Sequence, residues 1–107
     1  MKSLRVLVLI LAVATLTANV AAAQTATPRI DRREVRQDAR IRQGVRSGEL
    51  TRGEARHLRA GERHIDRMER HAKADGHVTM RERGRITRAQ NRESRRIWRM
   101  KHNHITR

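Results

Sequence analysis

Apolar residues are arranged in two unlike ways along this chain. From Val6 to Ala14 they run unbroken, whereas beyond residue 24 they stand mostly alone among polar and charged positions. In that later part the spacing is helical: Ala55, Leu58, Gly61, Ile65, Met68 and Ala72 recur at steps of three and four, which places them on one side of a helix. Val35, Ile41 and Val45 repeat the pattern more loosely before it, and Ile86, Gln90, Ile97 and Met100 after it. An all-α fold follows, with three helices at about 30–46, 51–73 and 79–101 joined by two short glycine-containing turns.

The two turns are copies of one another. Gly48-Glu49-Leu50-Thr51-Arg52-Gly53-Glu54 matches Gly76-His77-Val78-Thr79-Met80-Arg81-Glu82 at an offset of 28 residues. In each, the glycine (Gly48, Gly76) suits the left-handed conformation that ends a helix. The threonine (Thr51, Thr79) suits the N-cap of the next helix, and the glutamate three residues on (Glu54, Glu82) completes a capping box. Leu50 and Val78 sit where a hydrophobic staple begins, facing Ala55 and Arg83. The same pattern is the back half of an EF-hand loop, but the front half lacks the carboxylates that calcium needs: its first, third and fifth positions are Gln43, Val45 and Ser47, or His71, Lys73 and Asp75.

The unbroken apolar run changes the picture of the N-terminus. Lys2 and Arg5 precede it and Ala21-Ala22-Ala23 follow, the order of a cleavable secretory signal peptide. Residues 1–23 are therefore expected to be the signal peptide, 24–29 a linker holding Pro28, and 30–107 a small basic helical domain, periplasmic or secreted. Thr15, Thr17 and Asn19 dilute the run before it reaches the roughly 20 apolar residues of a membrane span, so no transmembrane span is expected after cleavage. The chain has no cysteine, which excludes disulfides, thiol catalysis and a lipid anchor on cysteine.

Charge dominates what remains. Removing residues 1–23 takes away Lys2 and Arg5 but no acid, leaving 24 basic residues against 11 acidic ones, a formal +13. Only Lys73 and Lys101 of these are lysines, and guanidinium groups favour forked contacts with carboxylate or phosphate. Large apolar residues are so few that one small domain is the ceiling, with a partner, counter-ions or self-association as aids to folding.

Little in the sequence resembles catalytic machinery. Ser47 and Ser94 are the only serines after the signal, and no nucleophile constellation surrounds them, so neither enzyme activity, a cofactor nor a small-molecule substrate is expected. His57, His64 and His71 lie seven residues apart, about 10.5 Å of helix per step, too far for two to share one metal ion. The remaining metal candidates are His71 with Asp75, four residues apart, and His77 just beyond. The strongest functional feature is in the last helix, where Arg81, Arg85, Arg88, Arg92, Arg95 and Arg99 follow steps of four and three and line one face over about 27 Å. Such a face points to anionic polymers or an envelope surface as partner, with a solvated face as the alternative.

By the stretches Arg42 to Glu54, Ala74 to Thr79, Asn91 to Trp98 and Lys101-His102-Asn103, the chain resembles a family of small exported proteobacterial helical proteins of unassigned function with paired Gly-x-[Leu/Val]-Thr-x-x-Glu turns. The resemblance implies a periplasmic or secreted helical protein with degenerate EF-hand-like turns, and carries no activity or site. A weaker likeness is to periplasmic Spy-type chaperones, through Leu50-Thr51 with Glu54, Val78-Thr79 with Glu82 and Ile86-Thr87 with Gln90. It implies a stress-related holdase; a divalent-cation binder is the third alternative.

Overall fold

A computed structural model of the protein describes residues 25–103, so the expected signal peptide and its cleavage site lie outside the described residues. Three helices are present: α1 (Pro28–Ser47), α2 (Arg52–Lys73) and α3 (Met80–Lys101). Each packs against the other two, giving an all-α, up-down-up bundle. Among the described residues no helix is long and apolar enough to cross a membrane.

The local pattern explains the helix ends. Thr51 and Thr79 both act as N-caps, their hydroxyls accepting from the backbone N–H of Glu54 and Glu82 at 3.1 Å, while each glutamate carboxylate accepts from the threonine's own N–H. Each box satisfies two amides that a helix start would otherwise leave open. Gly48 and Gly76 take left-handed φ values of 77° and 79°. The turns then diverge. The Leu50 N–H reaches back to the Gly44 carbonyl at 3.0 Å and closes the first helix end, whereas α2 stops at Lys73 with Ala74 as its cap, and Gly76 lies two residues further on. One contact is common to both turns: the Ser47 hydroxyl accepts from the Glu49 N–H in the first and the Asp75 carboxylate from the His77 N–H in the second.

Two expectations need correction at α1. The helix begins at Pro28, inside the segment read as a linker, because proline's fixed φ suits a first helical position where no N–H is needed. Its buried face is Ile30, Gln37, Ile41 and Gly44, while Val35 and Val45 are exposed. Ile30 and Ile41 are three turns apart on one side, and Val35 falls about half a turn away from them.

The interior has three layers. Near the start of α1, Ile30 meets Ile65 and Ala72 of α2, Ile86 and Ala89 of α3, and Val78 of the second turn, with Met68 packed alongside. At the other end Ile41, Leu50, Ala55, Leu58 and Ile97 form a second cluster with Met100 against it. Each fully buried leucine or isoleucine contributes roughly 1.5–3 kcal/mol. Between the clusters the interior is polar: the Gln37 amide donates to the Gln90 carbonyl at 2.9 Å, and the Gln90 amide donates to the Ile30 carbonyl at 3.1 Å. These bonds tie α1 to α3 through backbone acceptors and satisfy the two amide nitrogens, while the Gln37 Oε1 is buried without a partner among the described residues.

Candidate anion-binding surface

Helix α3 presents Ile86, Ala89, Gln90, Ile97 and the acid Glu93 inward. The remaining arc is left to solvent, and Arg81, Arg85, Arg88, Arg92, Arg95 and Arg99 all lie on it, every one exposed. None of the six takes part in an ion pair among the described residues. Like charges at four-residue spacing destabilise a helix by a few tenths of a kcal/mol per pair. The capping box at Thr79 and the burial of the opposite face therefore hold α3 in place against its own charge.

Trp98 borders this row, 57% exposed, with its ring stacked on His102 at 4.3 Å between centroids. Beyond α3, the end of the helix is tied down by polar contacts. Lys101 donates to the Gln43 side chain of α1, and Asn103 donates to Glu54 at the start of α2. Arg40 of α1 donates to the Ser94 hydroxyl at 2.9 Å.

The metal candidates do not assemble. His71, Asp75 and His77 are exposed around the end of α2, and the Asp75 carboxylate serves the His77 backbone. His57 and His64 are exposed with them along the same helix. The one place where three such ligand atoms lie within 4.8 Å of one another, among the described residues, is Asp31, Glu34 and Glu69.

That acidic group is part of a seam the sequence reading missed. Six of the 11 acidic residues, Asp31, Glu34 and Asp38 of α1 with Glu62, Asp66 and Glu69 of α2, gather where these helices meet. Burial, a hydrogen bond shared with Glu69 and the charges of Glu69, Asp66 and Asp31 hold Glu34 well above the usual carboxylate range. For Glu69 burial pulls the same way, but hydrogen bonds from Lys73, Thr27 and Glu34 outweigh it and hold the carboxylate ionised. Lys73 lies 2.8 Å from Glu69 and the Thr27 hydroxyl 2.6 Å. The two carboxyls titrate as a coupled pair, Glu34 raised and Glu69 lowered, and the Lys73 ammonium lies beside the more acidic member. Nearer the centre Glu62 is pushed up to about 7, chiefly by burial and then by Glu93 and Asp38, with Arg33 and Arg40 opposing. Glu93 of α3 is also raised by burial, restrained by Arg96 and His57. A Cβ at Gly61 would overlap the Glu93 carboxylate, so this glycine makes room for the buried acid.

The signal that could have revealed the seam was present. Asp31, Glu34 and Asp38 repeat at three and four residues, as do Glu62, Asp66 and Glu69, so each set forms one stripe. With arginines at nearby positions these stripes read as solvated faces.

Comparison of the chain with protein-family models, with curated proteins and with solved structures finds no match in any of the three. The geometry alone therefore carries the functional argument.

Proposed function

We propose that this is an exported, non-enzymatic protein of the cell envelope whose α3 arginine face binds anionic polymers or anionic surfaces. What supports the reading is the division of charge. Six of the acids gather along the α1–α2 seam and Glu93 is buried at Gly61, while the six guanidiniums of α3 stay exposed and without an ion-pair partner among the described residues. Guanidinium rows of this kind bind phosphate, sulfate or carboxylate groups by charge and forked hydrogen bonds.

Binding of this origin has a definite salt signature. Each neutralised phosphate releases counterions, so the logarithm of affinity falls linearly with the logarithm of salt, with a slope of about four to six for as many contacts. Heparin, duplex DNA and anionic vesicles should bind alike, because no array of side chains on α3 is arranged to read base edges. Replacing Arg88, Arg92 and Arg95 together with glutamine keeps good helix formers in place and removes three charges. A titration over a series of salt concentrations should show weaker binding and a slope reduced by about three. Equal binding by the triple variant, or no binding by the parent at about 0.15 M salt, would leave the row as a solvated face.

A further inference from the structure

A second basic surface lies elsewhere, in the groove between the first half of α1 and the first half of α3. Arg29, Arg32, Arg33 and Arg36 of α1 line one wall, Thr87 and Gln90 of α3 the other, around a hollow of about 510 Å³. An adjoining hollow of about 410 Å³ shares Arg29 and Thr87 and adds Arg83. We infer that this groove is a binding site for a compact ligand bearing two adjacent phosphates, a diphosphate group.

Helical geometry accounts for the arginine wall. Residues 29, 32, 33 and 36 fall within about 100° of arc on α1, and neighbours three or four apart stand about 5–6 Å from one another. Arg29 with Arg33, and Arg32 with Arg36, are like-charge pairs at four-residue spacing, an arrangement that weakens α1 in the absence of an anion. No acidic residue lines either hollow. The acids of α1, Asp31, Glu34 and Asp38, face α2 on the other side of the helix, and the only ion pair that α1 makes among the described residues is Arg42 with Asp38, outside the groove. Two arginines to each phosphate match four guanidiniums to a diphosphate, with the Thr87 hydroxyl as a further donor and the buried Ile30 as floor. The hollow also has the size of a small-molecule site, which the convex α3 face lacks. Rigidity is supplied by Gln37 and Gln90, whose amides pin α1 and α3 together beneath the groove.

The ligand chemistry has two sources, a soluble diphosphate or the headgroup of a diphosphate-bearing lipid, and one set of measurements separates them. Calorimetric titration of the full chain with inorganic pyrophosphate at about 0.15 M salt is expected to show saturable one-site binding at least about tenfold tighter than orthophosphate or sulfate, a difference of about 1.4 kcal/mol. Arg33→Gln with Arg36→Gln should weaken it by about tenfold or more at unchanged helix content, and Thr87→Val by less. The Arg88, Arg92 and Arg95 triple-glutamine variant should bind pyrophosphate as the parent does, which keeps this site distinct from the α3 face. Vesicles carrying a diphosphate lipid assign the lipid source if pyrophosphate displaces the protein from them, and the soluble source if such vesicles bind no better than vesicles of equal charge. The inference is overturned if pyrophosphate binds no tighter than orthophosphate, or if the Arg33 and Arg36 double variant binds unchanged. It is equally overturned if the α3 triple variant alone abolishes binding.

Discussion

Helix α1 meets its two neighbours in opposite ways. Toward α2 it turns Asp31, Glu34 and Asp38 against further acids, and toward α3 it turns Arg33, Arg36 and Arg40 against hydroxyls and amides. The acidic seam is half-buried, and its charge is met within it: burial raises Glu34 and Glu62, and Lys73, Arg42 and Arg70 pair with Glu69, Asp38 and Asp66. The basic seam opens to solvent and keeps its charge, available to a ligand. In a chain with this excess of arginine, Glu69 and Glu93 are buried and Glu34 and Glu62 half-buried, so these four acids do little to neutralise the outer surface.

Leu58 tests whether the two seams are separable, and it carries the largest expected effect. Fully buried, it packs with Ile41 of α1 and Ile97 of α3 in the cluster at the opposite end of the bundle from the arginine groove and the Glu34–Glu69 pair. Leu58→Ala should cost about 2–5 kcal/mol, a large part of the whole stability of a domain this small. Circular dichroism is expected to show both seams lost in one transition. A melt in which α1 leaves while α2 and α3 stay helical would show that each seam stands alone.

A smaller effect sharpens the contrast through pH. Glu62 is pushed up to about 7 by burial, against about 4.3 in an unfolded chain. A carboxyl raised on folding stabilises most when protonated, so its contribution is full below the unfolded value and is lost as pH climbs toward 7. Glu34 acts in the same sense. Glu69, held ionised, acts in reverse and loses its contribution as pH falls below the ordinary carboxylate range. The parent should therefore melt lower at pH 8 than at pH 5. Glu34→Gln with Glu62→Gln should flatten that dependence and gain about 1–2 kcal/mol at pH 8, allowing for solvent screening at these half-buried sites. On the scale of a domain this size that is roughly 5–15 °C. The parent and the double variant share every other residue, so the difference between them isolates the seam. Parallel melting curves across this range would remove the protonated acid from the account.

The joints of the bundle give the smallest effects. Thr51→Ala should cost about 1 kcal/mol and Thr79→Ala somewhat less, because the first box is partly buried and the second exposed. Thermal melts of the two variants order them. If Thr79→Ala proves the more damaging, the α2–α3 joint and not the α1–α2 joint sets the geometry of the bundle.

How much of this could be read from the chain depended on how local each feature is. The capping boxes were legible because four consecutive residues and their own backbone decide them, as Thr51 with Glu54 shows. The face of α2 was legible because its apolar residues are dense enough to define a side. The face of α1 was not: half of it is Gln37 and Gly44, which carry no hydrophobic signal, so Val35 and Val45 stood in for them. The six arginines of α3 were legible as one face, since spacing alone fixes that. The groove arginines and the acidic seam were not, because both depend on which side of α1 meets which neighbour.

One feature of the ion pairs bears on how such a chain changes over time. The four seen among the described residues, Arg42 with Asp38, Arg70 with Asp66, Lys73 with Glu69 and Arg96 with Glu93, join residues within a single helix. Contacts of charged groups between helices run through neutral partners, as where Arg40 donates to Ser94 and Lys101 to Gln43. Exchanging a surface arginine outside these pairs for another good helix former then alters the architecture by only a few tenths of a kcal/mol. The number of arginines is accordingly free to drift with mutational bias, and where their positions stay fixed across descendants, recognition rather than folding is what has held them.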